Sequence, residues 1–510
     1  MSDVINQVNS YINNIVWGTP VLTLIIGTGV LLTILTKGFQ FTHFPYALKE
    51  IFGGLRKSAV SKKNAPKEAK KHSPDEPPSI SQFQALCTAL SATIGTGNIS
   101  GIAYAITVGG PGAIFWMWIA SLTGMITGFS EKVLGIYYRK RNADGEWCGG
   151  PMYYLEYGLG SKKGCKMLGH ILAVFFSLFT ILASFGIGNM SQVTSIRESI
   201  LSLVSFSGVP KTDRFFIGAF IAAAAAFVIL GGLRRIADAN EKLVPFMAGF
   251  YILGATIILL QQAGQICPAF GAIFRHAFSK EAMLGGAGGT IMRHAIACGF
   301  KRGVFSNEAG LGSSVIVHAV SDVKEPVKQG FWGIFEVFFD TIIICTLTAL
   351  VILTSGLVDL NTGLVLSDNS SLALATEIFT GSFGMAGGLF MALSVTLFAF
   401  ATILGWHFYG VRAWEYLFGK KTAILYKYIY IAVILLGCML QTDFVIDLSD
   451  TFNGLMAIPN MLGVLSLTPT VLAILDNYKQ RNFYGATHLT PMLSYFPDIQ
   501  KAQMHRKDFP

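Results

Sequence analysis

Charged residues are scarce in this chain, and their scarcity excludes most soluble architectures. Only 13% of the 510 residues are charged, 52% are hydrophobic, and the mean hydropathy is +0.54. Soluble domains carry about 25% charged residues. We therefore expect one all-α integral membrane protein rather than a string of soluble domains.

Cysteine pairs and catalytic motifs are missing as well. The seven cysteines are scattered and form no CxxC pair, which argues against a metal or disulfide framework. The chain contains no HExxH zinc motif, no GxSxG nucleophile elbow and no P-loop, and its nine histidines are dispersed. We therefore expect no enzyme activity and no organic cofactor.

The formal net charge of +9 follows the expected membrane topology. Lysine and arginine concentrate in the connections 37–80 and 139–165, and in later connections on the same side. By the positive-inside rule these connections are cytoplasmic, the N-terminus is outside and the C-terminus is cytoplasmic. The basic excess predicts contact with membrane lipid and no nucleic-acid partner.

Eleven apolar stretches are long enough to cross a membrane. The first has no cleavage-site pattern after it, so we interpret it as a retained helix rather than a signal peptide. The expected spans are 19–36, 81–107, 111–138, 166–190, 214–233, 243–266, 286–318, 329–357, 386–417, 424–441 and 449–475.

The order of these spans predicts five segments of different character. An N-terminal helix with its cytoplasmic connection (1–55) precedes a flexible basic linker (56–80), whose composition cannot bury enough apolar surface to fold. The linker acts as a spacer or touches anionic lipid. Two groups of five helices in opposite orientation (81–266 and 286–475) follow, and a cytoplasmic tail (476–510) ends the chain.

Each group of five opens with a span that is broken at mid-depth by glycine and polar residues, at 95–98 and at 306–312. Unpaired backbone groups inside a bilayer are tolerated only where they face protein, ions or polar cargo. Two such breaks in corresponding positions are typical of carriers built from inverted repeats, with the binding site near the bilayer midplane.

The first break suits a carboxylate beside a small cation. Gly95 and Gly97 allow close approach of the backbone, and the amides that open the outer half-helix favour an anion. Carbonyls at the end of the inner half-helix, with oxygens of Thr96 and Asn98, suit Na⁺. The glycines also resemble a dinucleotide-binding fingerprint, but the strand that must precede such a fingerprint is missing. Close helix packing through Gly97 and Gly101 stays an alternative.

Acidic residues inside the spans are costly and usually paired or functional. Glu308 lies in the second break, where a structural ion pair with Arg302 and a role in coupling are both open. Glu131, Glu336 and Asp340 also fall inside spans. Asp340 has the most apolar neighbours, and we keep it as a secondary candidate.

Three long strings carry a family resemblance: 89–99, 149–154 and 301–313. They resemble the alanine or glycine:cation symporters (the sodium:alanine symporter family), and the likeness extends over 81–475. It implies a LeuT-type fold of five plus five inverted helices after one extra N-terminal helix. It also implies alanine or glycine as cargo and coupling to Na⁺ or, less often, H⁺.

The resemblance also implies which side chains form the site. Asn98, Gln192, Thr402 and Trp406 would surround the substrate, and the second broken helix would complete the cavity. Together with the first break, the expected substrate-binding residues are Gly95, Thr96, Gly97, Asn98, Gln192, Ser306, Thr402 and Trp406. The expected Na⁺ ligands are the carbonyls of Ser91 and Ile94 and the hydroxyl of Thr402.

These residue types fit the expected chemistry. Gln192 offers an amide donor and an acceptor, and Thr402 and Trp406 are one helical turn apart. An indole limits the length of the cargo side chain and offers a face to its ammonium group. The alternative for Trp406 is a residue of the interfacial aromatic belt.

We therefore predict Na⁺-coupled symport of small neutral amino acids into the cell across the cytoplasmic membrane. The alternative is a proton-coupled carrier of another small amino acid, and Glu308 is the feature that supports it. A channel is disfavoured because the chain is asymmetric. The sequence leaves open alanine against glycine, ion stoichiometry, and monomer against homo-oligomer.

Overall fold

The computed structural model describes residues 2–64, 79–203, 209–278, 287–440, 442–486 and 488–504, which are mostly helical. The N-terminal part begins with two helices that meet at Trp17 and Gly18. Proline occupies the first turn of the second helix, where its missing N–H is not needed. The helices of this part are α1 (Ser2–Val16), α2 (Thr19–Leu35), α3 (Phe39–Thr42) and α4 (Phe44–Asn64).

The first expected repeat contains nine α-helices and a short hairpin among the described residues. The helices are α5 (Gln82–Thr93), α6 (Ser100–Gly109), α7 (Gly112–Tyr137), α8 (Pro151–Tyr153), α9 (Lys166–Phe185), α10 (Ser191–Leu201), α11 (Pro210–Ile229), α12 (Gly232–Gln261) and α13 (Ala263–Ala277). Strands β1 (Lys140–Arg141) and β2 (Trp147–Cys148) pair antiparallel.

The second expected repeat and the tail are helical as well. Their helices are α14 (Ala287–Asn307), α15 (Val315–His318), α16 (Pro326–Val337), α17 (Thr346–Thr354), α18 (Ser371–Phe383), α19 (Met385–Phe418), α20 (Ala423–Met439), α21 (Thr442–Asn482) and α22 (Pro497–Met504).

Nine helical stretches in the described part of the chain are long and apolar enough to cross a membrane. They are Gln7–Leu35, Gly112–Tyr137, Lys166–Leu201, Lys211–Ile229, Gly232–Gln261, Pro326–Thr354, Met385–Phe418, Lys420–Met439 and Ser449–Asn482. The two remaining stretches of the expected eleven, 81–107 and 286–318, are those that carry the breaks. In the structure each is divided into two helices, α5 and α6 in the first and α14 and α15 in the second.

The described residues contain three π-helical turns that the sequence does not predict, one in the connection after α7 and two inside membrane-length stretches. They lie at Tyr154–Leu159, Gly186–Met190 and Phe338–Cys345. Such turns insert one residue into a helix and are frequent at functional sites. Two of them position side chains beside the breaks, as described below.

The broken helices lie at the centre of the bundle. Helix α5 packs against α12 and α19, and α14 packs against α7 and α6. The α5–α19 contact is close because α19 carries Gly405: a Cβ at that position would lie 2.5 Å from Ser91 Oγ. Both breaks are therefore enclosed by protein, as irregular backbone in a membrane requires.

The structure corrects our expectations for the connections. Helix α4 continues to Asn64, although we expect no regular structure from residue 56 onward; between Pro45 in its first turn and Pro66 no proline stops it. Residues 65–78 of the expected linker lie outside the described residues. The expected connection at 139–165 contains the β1–β2 hairpin, and α21 extends to Asn482, into the expected tail.

Candidate functional site

The first break begins where α5 ends. Ile94 and Gly95 leave the helical conformation, and a short 3-10 turn, Thr96–Asn98, leads into α6. Asn98 stabilises this turn, because its Oδ1 accepts a hydrogen bond from the Gly95 N–H at 3.0 Å. The break is therefore held in one conformation by a side chain of its own.

Asn98 also connects the two breaks. Its Nδ2 donates to Ser306 Oγ at 3.1 Å and to Asp340 Oδ1 at 2.6 Å. The Ser306 hydroxyl in turn donates to Asp340 Oδ2 at 2.7 Å. All three side chains are buried. The structure thus brings the predicted residues Asn98 and Ser306 together around a carboxylate.

Asp340 is the residue whose importance the sequence analysis underestimates. It lies in the π-helical turn Phe338–Cys345, and the Thr341 hydroxyl also donates to its Oδ2, at 2.9 Å. Within the described residues no basic side chain pairs with Asp340, so hydrogen bonds alone compensate its charge. In the sequence, Asp340 is recognisable only as a lone acidic residue in an apolar run, and this pattern does not identify its hydrogen-bond partners.

Gln192 also contacts the first break, through Thr96. It follows the π-helical turn Gly186–Met190, and its Nε2 donates to the Ile187 carbonyl at 3.0 Å. Its Oε1 accepts a hydrogen bond from Thr96 Oγ1 at 3.1 Å. The predicted residues Thr96 and Gln192 are therefore in direct contact, and the second lone pair of Oε1 is available to a ligand.

Thr402 contacts the backbone of the first break. Its hydroxyl lies 2.9 Å from the Ser91 carbonyl oxygen and 2.9 Å from the Phe398 carbonyl oxygen. A Cβ on Gly95 would lie only 2.8 Å from Thr402 Oγ1. Glycine at position 95 therefore permits this close approach of α19 to the break.

The oxygens at this contact fit a small monovalent cation. Ile94 is fully buried, and its carbonyl accepts no hydrogen bond from any described residue. A buried carbonyl without a partner costs free energy, so it marks a place where a ligand would be stabilised. Within the described part of the chain no cluster of three His, Cys, Asp or Glu residues could hold a metal ion. The donor set of neutral oxygens therefore suits Na⁺ better than a divalent ion, which takes carboxylate ligands.

Trp406 lies one turn beyond Thr402 and is fully buried. Its ring packs against Gly188, where a Cβ would lie 2.2 Å from Trp406 Cβ, and against Tyr409 with ring centroids 5.5 Å apart. Its indole Nε1 has no hydrogen-bond partner in the described structure. This burial argues against a residue of the interfacial belt and leaves an N–H donor for a ligand.

The structure does not bring Glu308 and Arg302 together. Glu308 adopts a left-handed backbone conformation (φ 55°) and accepts a hydrogen bond from the Ser313 hydroxyl. Arg302 lies over the ring of Tyr104, 4.6 Å from its centroid. No ion pair joins the two residues in the described chain, so the structural pair that was one of two open alternatives for Glu308 is not formed.

Other side chains hold the second break. Glu131 Oε1 accepts a hydrogen bond from the Gly310 N–H at 3.1 Å, and Asn460 Nδ2 donates to the Gly310 carbonyl at 2.9 Å. The φ of Gly310 is +97°, a conformation that glycine adopts without steric cost. Neither contact can be predicted from the sequence; Asn460, for example, is 150 residues from Gly310.

The chain matches one known protein family over nearly its whole length. A model described as the sodium:alanine symporter family matches residues 2–490. The chain belongs to this family. It is a family of transporters, in agreement with our expectation that the chain is not an enzyme.

Curated relatives of the chain match it over nearly their whole length. The sodium/alanine symporter AgcS of Methanococcus maripaludis is 42% identical over 471 residues, which cover 92% of this chain and 96% of that protein. The probable sodium/glutamine symporter GlnT of Bacillus subtilis is 33% identical, with coverage of 95% and 93%.

A solved structure supports the fold. The crystal structure of MhsT in complex with L-phenylalanine matches with a TM-score of 0.51 at 14% identity, and covers 79% of this chain and 99% of that one. The likeness shows the fold alone. With the nine apolar helices of the described residues, it makes this sodium:alanine symporter family member a multi-pass all-α membrane protein of LeuT type.

Proposed function

We propose that this protein is a secondary active transporter that takes small neutral amino acids, alanine or glycine, into the cell together with Na⁺. The observation that carries the proposal is the contact between the Thr402 hydroxyl and the Ser91 carbonyl, which are 2.9 Å apart. Ile94 follows three residues later, and its carbonyl accepts no hydrogen bond from a described residue. These three oxygens are the proposed Na⁺ ligands. Membership of the sodium:alanine symporter family supports the same cation.

The substrate would bind beside the cation, at the first break. The Gly95 and Asn98 amides are used within the break, so the amides of Thr96 and Gly97 bind the substrate carboxylate in this proposal. The free lone pair of Gln192 Oε1 accepts from the ammonium group. The buried Trp406 limits the length of the side chain. A cation next to the substrate carboxylate lowers the cost of burying either charge, which couples their binding.

Asn98 and Ser306 are predicted from the sequence to bind the substrate, but here we propose a structural role for them. Their side-chain donors are engaged by Asp340 at 2.6 and 2.7 Å. We therefore propose that they hold the two breaks at a fixed distance from each other. In this proposal their side chains do not bind the substrate directly.

Proton coupling is the second candidate, and the buried carboxylates favour it. Asp340 and Glu308 are buried, and neither pairs with a basic residue in the described part of the chain. A membrane-buried carboxylate without a basic partner is a natural proton carrier. Of the two, Asp340 contacts residues of both breaks, so it is the better placed for coupling.

Membrane location and orientation are also part of the proposal. The charge distribution supports a cytoplasmic membrane protein with the N-terminus outside and the C-terminus in the cytoplasm. The units 81–266 and 286–475 are then inverted repeats that move against each other and open the central site alternately to either side. The substrate amino acid, Na⁺ and lipid are the proposed partners.

Transport in liposomes tests the proposal. Purified protein is reconstituted, and uptake of labelled alanine is followed with an inward Na⁺ gradient and with a matched K⁺ gradient at constant pH. Na⁺-driven accumulation supports the proposal. Equal accumulation without a Na⁺ gradient and with the pH gradient collapsed contradicts it, and uptake that requires the proton gradient favours the second candidate. Glutamine is included because a relative is named for it.

A further inference from the structure

Trp17, at the junction of α1 and α2, is inserted into a notch of α21. Only 7% of the residue is exposed, and its indole Nε1 donates to the backbone carbonyl of Asp450 at 2.8 Å. Gly454 leaves space for the ring: a Cβ there would lie 2.8 Å from Trp17 Nε1. The N-terminal helices precede the repeats, yet this side chain is fixed against one of the core helices.

The Trp17 ring also supports Phe305, the residue next to Ser306. Their ring centroids are 6.0 Å apart at an interplanar angle of 53°. Phe305 also lies against the first break, since a Cβ on Gly97 would lie 3.7 Å from Phe305 Cε1. Phe305 therefore contacts both Trp17 and the backbone that we propose binds the substrate.

An ion pair reinforces this arrangement. Lys301, one turn before Phe305 on α14, lies 3.3 Å from Asp450 Oδ2. Its ammonium group is 5.6 Å from the centroid of the Trp17 ring. Trp17 is thus enclosed by α14 and α21, and both of these helices restrict its movement.

We propose that Trp17 sets the size of amino acid that the site accepts, by holding Phe305 against Gly97. Trp17 is a positioning residue in this proposal, because it acts through Phe305 and does not touch the substrate. The inference rests on the proposed function, since it names a determinant of the same cargo site. Removing the indole opens space behind Phe305, which can then move away from Gly97 and admit a longer side chain.

A competition series measures this size limit. Glycine, alanine, 2-aminobutyrate and valine compete with labelled alanine for uptake into proteoliposomes that contain the wild type, Trp17→Ala or Trp17→Phe. One methylene in an apolar pocket changes selectivity by roughly 10–200-fold. We expect Trp17→Ala to reduce the preference for alanine over valine by about tenfold or more, and Trp17→Phe to restore most of it.

Tyr11→Ala is the matched control, because Tyr11 is an aromatic residue of α1 that is 70% exposed. We expect its selectivity to equal that of the wild type. An unchanged alanine-to-valine ratio in Trp17→Ala overturns the inference, and so does an equal change in Tyr11→Ala.

Two further measurements keep the inference testable. If Trp17→Ala does not fold, Gly454→Ala displaces the indole without removing it, and an unchanged ratio in that variant contradicts the inference. If the wild type transports no alanine, the proposed function fails on its own. In that case the Tm of the protein in detergent is measured with each of the four amino acids, and the rise in Tm gives the size preference without transport. An equal preference in Trp17→Ala and wild type overturns the inference.

Discussion

Gly95 and Gly97 are two residues apart in the first break, but their surroundings differ. A Cβ on Gly95 would lie 2.8 Å from Thr402 Oγ1, whereas a Cβ on Gly97 would meet nothing closer than 3.7 Å. The first distance is a clash and the second is an ordinary van der Waals contact. Only Gly95 is therefore needed for the approach of α19 to the break.

This difference gives a prediction for a matched pair of variants. Gly95→Ala should weaken alanine binding at least tenfold, about 1.4 kcal/mol, because the new methyl group pushes Thr402 away from Ser91. Gly97→Ala should weaken alanine binding, and change its dependence on Na⁺, much less than Gly95→Ala does. Equilibrium binding of labelled alanine at several Na⁺ concentrations measures both effects. Equal losses in the two variants would contradict the proposed Thr402 contact.

Asp340 and Glu308 provide a second comparison between residues. Asp340→Asn places an amide N–H₂ against the donors of Asn98 or Ser306, and an unsatisfied buried donor costs about 1–3 kcal/mol. We expect alanine binding to weaken by roughly 5–150-fold. Glu308→Gln can keep an acceptor for Ser313 and should retain Na⁺-dependent alanine exchange. Loss of exchange in Glu308→Gln alone would favour proton coupling through Glu308.

The sequence predicts part of this site and misses the rest for a physical reason. The break at 95–98 can be predicted because glycine and polar residues interrupt an apolar run. The contacts of Asp340 cannot, since they depend on a π-helical turn that shifts the register of its helix by one residue. The pairing of Gly310 with Asn460 depends on packing between distant helices.

At the scale of elements, the β1–β2 hairpin fastens the connection after α7 to the end of α19. Glu146 in the hairpin lies 3.3 Å from Arg412 Nη1 and 3.2 Å from Lys420 Nζ. Partial burial alone would raise the pKa of the Glu146 carboxyl, but the charges of Arg412 and Lys420 outweigh burial and hold the pKa below its usual 4.5. A carboxyl with a lowered pKa stabilises the folded contact above its usual pKa and loses this effect as the pH falls through the lowered value.

The hairpin should therefore stay attached as the pH falls from 7 to 5, and loosen only below about 4.5. Hydrogen-exchange protection factors of residues 140–148 measure this. In Glu146→Gln the charge contribution of this residue is absent, so protection should be lower at pH 7 and should fall less than in the wild type near pH 4. Wild-type protection that is lost already at pH 6 would contradict the role of this carboxylate.

The sequence predicts the apolar helices better than the polar ones. The apolar spans can be predicted because length and hydropathy determine them. The continuation of α4 to Asn64 and the helix α22 are missed, because polar segments carry no apolar period from which to predict a helix. Helix α22 follows a segment that docks on the bundle, where the Tyr495 N–H donates to the Tyr137 carbonyl at 2.9 Å.

At the scale of the whole molecule, two native cysteines report the orientation of the chain. Cys267 is exposed on α13, which our topology places outside, and Cys165 is partly exposed before α9, on the cytoplasmic side. In intact cells a membrane-impermeant maleimide should label a variant that keeps only Cys267. It should label a variant that keeps only Cys165 after permeabilisation alone. The reverse pattern would overturn the orientation.

The central claim is that Na⁺ and the amino acid bind together at the first break, and reciprocal binding tests it most directly. Calorimetry gives the Kd of alanine with and without Na⁺, and the Kd of Na⁺ with and without alanine. Linkage requires the same factor in both directions. We expect each ligand to lower the Kd of the other by a factor of about ten or more. Thr402→Ser should keep this factor because serine retains a hydroxyl ligand, and Thr402→Val should remove it. Alanine affinity that is independent of Na⁺, or a factor that Thr402→Val leaves unchanged, would contradict the account.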